Sequence, residues 1–344
     1  VNLISGANGS GKTSLLEGIH ILGMGRSFRT RQLRHAISHG SDALVLHGRV
    51  GGDPAIPFGV RRQRQAGELE MRIAGERISR IASLVELLPL QLINPDAFRL
   101  LEGSPSGRRE FLDWGVFHVK HDFLDVWQRF RRALKHRNAL LRHGRMDDLS
   151  LGVWEQELAQ WGEKLDALRS AWVEDFLPVF EDTLAGILPL SGLRMRYSPG
   201  WDRKRNLVDV LRQGRGADRQ MGFTQQGPQR ADLSIRLERR PAIEVLSRGQ
   251  QKLVVSALKL AQGALLESKT GRTCLYLIDD LPAELDREHR RVFCEWLEEM
   301  RCQVFITSVD HDALAELWQT SSSVSMFHME QSAAGVGRMM PLTG

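Results

Sequence analysis

Cysteine is scarce in this chain. Only Cys274, Cys294 and Cys302 occur among 344 residues, and no two of them form a CxxC pair. An odd, scattered set argues against a disulfide framework or a cysteine-built zinc site and makes a reducing cytoplasm the expected compartment. Long apolar runs are missing too: no eighteen consecutive apolar residues occur, so no transmembrane helix is expected. No internal repeat, low-complexity tract or leader-like segment is evident. The chain opens on Val1-Asn2-Leu3-Ile4, already within an apolar strand, and a further N-terminal piece is expected ahead of it. What remains is ordinary globular material, 42% hydrophobic and 26% charged, long enough for one large domain or two. A net charge of +5 and a pI near 9.4 favour an anionic partner only weakly.

The ends and the middle differ. Residues 1–107 and 222–344 alternate short apolar runs with Gly-rich turns and helical patterns, which predicts α/β structure. The middle reads as mostly helical. Val116, Val119, Phe123, Trp127, Phe130 and Leu134 step by three and four. After the polar break RHGRMDDLS, so do Trp154, Leu158, Trp161, Leu165, Leu168 and Trp172. This spacing predicts an antiparallel helical hairpin over 116–176. Its tryptophans are then packing residues rather than stacking platforms for bases. The expected division is 1–108 and 222–344 for an α/β head, with 109–221 as an inserted helical lobe.

Charge concentrates in the lobe. From Arg108 to Arg145 there are ten Lys/Arg against four Asp/Glu, and from Arg194 to Arg219 eight against three. Arg129, Arg131, Arg132, Lys135 and Arg137 fall on one predicted helix. Such a helix is either a plain solvated face or a surface for phosphate backbones. On the second reading Arg131, Arg132 and Lys135 are the candidates, with segment 203–215 next in line. His118, His121, His136 and His143 have no supporting carboxylate cluster and are expected to be surface histidines, not metal ligands.

The sharpest chemistry lies near the start. Leu3–His20 read LISGANGSGKTSLLEGIH, an apolar strand, a glycine-rich loop and a helix. The loop Gly6-Ala7-Asn8-Gly9-Ser10-Gly11-Lys12-Thr13 matches G-x-x-x-x-G-K-[ST] in its required context. Glycines let backbone N–H groups curl around phosphate. Lys12 is expected on the β/γ-phosphates of ATP and the Thr13 hydroxyl on Mg²⁺, with Ser14 closing the binding stretch. Such a loop needs a second magnesium ligand at the end of another buried strand. CLYLIDD, residues 274–280, supplies Asp279 for Mg²⁺ and Asp280 to orient or deprotonate the attacking water.

Residues 244–262, EVLSRGQQKLVVSALKLAQ, pose a further question. Ser247 stands where a helix N-cap would, with Gln250 three residues on, the pattern of a capping box. A helix start of this kind can face an anion. LSRGQ resembles the LSGGQ signature of ABC-type ATPases, and the loop, signature, CLYLIDD strand and ELD at 284–286 follow in that family's order. The resemblance implies that Ser247, Arg248, Gly249 and Gln250 cap ATP held by a second copy of the chain.

GANGSGKTSLLEGIH, GRSFRT, GSPSGRREFLDW, LSRGQQKLVVSALKLAQ and CLYLIDDLPAELDREHR together narrow the match. Across nearly the whole chain they resemble the RecF family, relatives of the structural-maintenance-of-chromosomes ATPases. The resemblance implies an ABC-type head with a short helical lobe, weak DNA-stimulated ATPase activity and ATP-dependent dimerisation. It also implies DNA, RecO and RecR as partners and a role in placing recombinase on gapped DNA. Some positions depart from the wider pattern. Asp280 stands where many ABC ATPases have Glu, which implies slow hydrolysis or a clamp with negligible turnover. Ser308 lies nearest the usual switch histidine, with His311 further along. Gln229 in GPQRADL replaces a usual His. The Q-loop residue is Gln91 or Asn94. A transporter ATPase subunit shares the motifs, but 233 positions from Thr13 to Leu246, filled by a basic helical insert, disfavour it.

Overall fold

The computed structural model describes residues 1–65, 68–142, 148–281, 285–310, 324–331 and 337–342. The chain divides into two compact units, 1–97 with 271–344, and 98–270. These cuts differ from the boundaries at 108/109 and 221/222 expected from pattern and charge: residues 98–108 and 222–270 go with the helical unit.

The first unit is built on a six-stranded sheet. In spatial order its strands are Gly337–Pro341, Ser325–Gln331, Asn2–Ser5, Val304–Ser308, Leu275–Ile278 and Leu90–Ile93. All neighbours are parallel except the Gly337–Pro341 edge strand. Near-continuous apolar runs such as LYLI suit strands covered on both faces. Five parallel strands therefore bring their carboxyl ends to one side, where open α/β sheets bind ligands. A separate antiparallel sheet runs Ala43–Val50, Ile56–Gln63, Leu69–Ile73 and Glu76–Ile78 in chain order. Its inner face, with Phe58, Val60 and Met71, packs on Ile21 and Leu22 of the helix Lys12–Met24 and on Leu84.

The second unit is mainly helical. Phe123–Arg142 and the forty-residue Asp148–Ile187 form the expected antiparallel hairpin. Arg129 lies over the Trp161 ring at 4.7 Å, and His136 stacks on Trp154 at 4.2 Å. Seven residues forward on one helix thus meet seven residues back on the other. Trp172 is buried, stacks on Phe176 at 4.5 Å and presses on Gly115, where a Cβ would sit 2.2 Å from the indole ring. Trp154 and Trp161 are only half-buried. A small antiparallel sheet, Leu193–Ser198, Asp232–Leu237 and Arg240–Pro241, completes the unit with the helix Arg248–Thr270.

The structure corrects three readings of the lobe. The pattern 116–134 is not one helix: Pro105–Val119 ends at an extended Lys120, and a new helix starts at Phe123. His118 is buried between the rings of Trp114 and Phe117, not on the surface. Arg137 is not part of a solvated face. It is fully buried, with one guanidinium nitrogen 2.7 Å from Asp218 and the other 3.2 Å from a buried Glu155. Arg215 joins the same Glu155. His121 and His136 are exposed, while His143 lies outside the described residues.

Candidate functional site

The strand Asn2–Ser5 delivers the phosphate loop to the carboxyl side of the main sheet. Gly9 and Gly11 take φ of +83° and +105°, left-handed values that favour glycine. At Gly6 the reason is contact: a Cβ would lie 2.3 Å from the Met329 carbonyl oxygen and 2.9 Å from Ser10 Oγ. Ala7, Asn8 and Gly9 are exposed, Gly6, Ser10 and Lys12 are buried, and Ser14 is exposed on the first helical turn. The Lys12 ammonium donates to the carbonyls of Gly6 at 2.6 Å and Ala7 at 2.9 Å. Burial lowers its pKa, against the upward pull of Asp280 and Asp279.

The loop's helix and the second acidic strand meet at one atom. Thr13 Oγ1 donates to Asp279 Oδ1 at 3.1 Å, although the two residues are 266 positions apart. The strand Val304–Ser308 lies between theirs, and its Thr307 also donates to Asp279 Oδ1, at 2.8 Å. The Thr307 hydroxyl oxygen in turn accepts the Asp280 N–H at 2.9 Å. Asp280 adopts φ +54°, a left-handed conformation that Asp tolerates better than most residues. One buried hydroxyl therefore sets both the Asp279 carboxylate and the Asp280 backbone. Sequence reasoning missed Thr307; the signal was a polar residue ending an apolar strand in VFITS.

Neighbouring candidates separate clearly. Gln91 lies inside the strand Leu90–Ile93, while Asn94 follows its end, beside the Ile93 carbonyl that accepts the Asp279 N–H at 2.9 Å. Asn94 Oδ1 accepts the Ala97 N–H at 2.9 Å. Ser308 holds its own turn, donating to Asp310 O and accepting from Asp310 N–H. His311 and Glu284 lie outside the described residues. Asp286 caps the helix Arg287–Glu299 by accepting the His289 N–H at 3.0 Å, which holds its carboxyl below the usual range. Gln229 donates to the Thr224 and Gln226 carbonyls and so closes its own loop in the second unit.

The signature turn forms the expected capping box. The Ser247 N–H donates to Gln250 Oε1 at 3.0 Å and the Gln250 N–H to Ser247 Oγ at 3.2 Å. Ser247, Arg248 and Gly249 are exposed, and a Cβ at Gly249 would meet nothing within 4 Å. Arg248 pairs with Glu102. Arg131, Arg132 and Lys135 are exposed on Phe123–Arg142, Arg131 lying over the Trp127 ring at 5.2 Å. In segment 203–215, Arg203 pairs with Asp166 and Arg215 with Glu155, while Lys204, Arg205 and Arg212 are exposed.

The first site fits a nucleotide with a hard cation. Ser10 Oγ is buried in the loop without a hydrogen-bond partner among the described residues, and the glycines keep the cradle free of side chains. Thr13 and Asp279 offer adjacent oxygens. Among the described residues no cluster of three His, Cys, Asp or Glu could hold a metal alone. That is expected where magnesium takes one or two carboxylates and completes its shell with phosphate and water.

Known proteins resemble this chain along most of its length. The RecF/RecN/SMC N terminal domain matches residues 1–333. The DNA replication and repair protein RecF of Chromohalobacter salexigens is 69% identical over 330 residues, 96% of this chain and 91% of that protein. The Pseudomonas fluorescens protein of the same name is 52% identical over 335 residues, 96% of this chain and 90% of its own length. Among solved structures, the recombination mediator protein RecF-ATP in the RecFOR pathway superimposes with a TM-score of 0.84 at 24% identity. It covers 98% of this chain and 91% of that one. An Smc head bound to the C-winged helix domain of ScpA gives 0.59 at 14% identity, over 99% and 90%. The structural likenesses establish the shared α/β head with its helical lobe, and with the match along the sequence they place the chain in the RecF family of RecF, RecN and SMC proteins.

Proposed function

We propose that this chain is an ATP-dependent DNA-binding protein of replication and recombinational repair, forming a two-fold dimer around ATP and Mg²⁺. The observation that carries this reading is the convergence of Thr13 and Thr307 on one oxygen of Asp279, with Lys12 held in the adjoining loop. Bound Mg²⁺-ATP would supply the phosphoanhydride and the charge that organises its oxygens. Backbone N–H groups of residues 6–14 cradle the phosphates, and Lys12 turns its ammonium from loop carbonyls to the β/γ-oxygens. Thr13 and Asp279 would hold the cation. Asp280, in a backbone fixed by Thr307, orients water.

Asp280 has one methylene fewer than Glu, which favours slow turnover in which ATP serves mainly to hold two chains together. The exposed Ser247–Gln250 turn is suited to reach ATP on a second copy. Arg131, Arg132 and Lys135 offer phosphate contacts without base readout. RecR and RecO are the partners that the family resemblance implies. The absence of a long apolar helix among the described residues accords with a cytoplasmic protein on DNA. Light scattering with and without Mg²⁺-ATP and gapped DNA tests the reading: dimers that require ATP and persist on DNA support it. A monomer under every condition contradicts it.

A further inference from the structure

The antiparallel sheet of residues 43–78 has a second face, directed away from its core. Side chains alternate along each strand, and cross-strand partners share a side. Phe58, Val60 and Met71 point inward. The outward set is Val45, His47 and Arg49 on the first strand, Pro57, Gly59 and Arg61 on the second, Glu70 and Arg72 on the third, and Arg77 on the fourth. His47 pairs with Gly59, Gly59 with Arg72, and Arg72 with Arg77. One row thus crosses all four strands, roughly 15 Å at about 4.8 Å per step.

This face is basic and uncommitted. His47, Arg49, Arg61, Arg72 and Arg77 are all exposed. Among the described residues none of the four arginines forms an ion pair, and Arg72 is held only by a 3.1 Å bond to the Gly75 carbonyl. Glu70 is the one acid in the outward set. The face is also concave. Val45, His47, Gly59, Arg61, Glu70 and Arg72 help to line a trough of about 420 Å³. Gly59 lies among these residues, and a side chain there has no room: a Cβ would lie 2.8 Å from the Leu46 carbonyl oxygen.

We infer that the exposed arginines of this face form a second contact for the nucleic-acid phosphate backbone, with Arg61 and Arg72 beside the trough as the principal cations and Arg49 and Arg77 further out. Arginines on a pleated face, with no base-reading helix among them, fit a charged backbone and provide no sequence readout. The inference rests on the DNA-binding reading above, but it concerns a surface separate from Arg131, Arg132 and Lys135.

The test is fluorescence anisotropy of a labelled gapped duplex with Mg²⁺-ATP, at salt concentrations from about 50 to about 200 mM. The variants are Arg61→Gln with Arg72→Gln, and separately Val45→Glu, which sets a carboxylate opposite Arg61 without removing a cation. The double variant should weaken binding to all sequences alike and lower the log–log salt slope by about 2, one for each phosphate that is no longer neutralised. Val45→Glu should weaken binding in the same direction. Melting curves and nucleotide binding equal to the parent confirm that the fold survives. Parental affinity and slope in both folded variants overturn the inference, and that is also the result if the face takes an acidic protein instead. A parent that binds no DNA overturns both this inference and the functional reading beneath it. A parent that binds while only an Arg131→Gln, Arg132→Gln variant weakens overturns this inference alone.

Discussion

In the helical unit Arg108, Arg137, Arg169, Arg203 and Arg215 each meet a carboxylate, at 2.6–3.2 Å. On the sheet of residues 43–78, Arg49, Arg61, Arg72 and Arg77 meet none among the described residues. Both regions carry several arginines, which serve different ends. In the helical unit they cross-link segments far apart in the chain: Arg108 reaches Asp232, Arg169 reaches Asp113, and Arg137 reaches Glu155 and Asp218. A count of Lys and Arg therefore overstates the surface that this unit offers to DNA. The RREFLDWG stretch makes the same point. Arg108 and Asp113 enter ion pairs, Arg109 donates to the Ala231 carbonyl, and Gly115 admits Trp172. These contacts join segments within the unit.

The sharpest way to break the contrast is to remove a buried cation. Arg137→Ala strands Glu155 and Asp218 away from water, though Arg215 still reaches Glu155. It should cost about 3–5 kcal/mol, against less than about 0.5 kcal/mol for exposed Arg132→Ala. Urea denaturation of both variants measures the difference, and equal losses would erase the distinction between the two kinds of arginine. Lys12→Ala comes next. It should weaken ATP by about 3 kcal/mol, the upper end for a hydrogen bond to a charged group, or roughly a hundredfold in Kd by calorimetry. Thr307→Val keeps shape but leaves the Asp280 N–H without its acceptor and Asp279 with one donor fewer. A loss of about 1–3 kcal/mol in stability is expected. The apparent affinity for Mg²⁺ should fall with it, and Thr307→Ser should restore both.

How much of this could be read in the sequence depended on how local the cause was. The phosphate loop, the Ser247–Gln250 capping box and the two acids after LYLI each involve a few consecutive residues, and the structure shows the expected local forms: a strand and a helix around the loop, the capping box, and a buried strand ahead of the acids. The pairing of Thr13 with Asp279 is expected from the phosphate loop's need for a second magnesium ligand, but the strand order that brings them together is not legible in the sequence. Arg137 was misjudged because composition was weighed over position. It continues the three-and-four stepping of the buried residues Phe123, Val126, Phe130 and Ala133, so a core site was in principle legible. The break at Lys120 stayed hidden because apolar stepping carries across it. Thr307 and the cuts at 97/98 and 270/271 depend on contacts between distant segments, which no window of sequence records.

The central claim is that Lys12 and Ser247 act on the same ATP from different chains. Its most direct test mixes two inactive variants, Lys12→Ala and Ser247→Arg, and measures ATP-dependent dimerisation and turnover against each alone. In a two-fold dimer each variant damages both of its own sites. The mixed dimer carries both lesions at one site and leaves the other intact, so dimer and turnover should return in part, and covalent linkage of the two chains should strengthen the recovery. If linked, folded chains show no recovery, the signature serves the ATP of its own chain and the account is wrong.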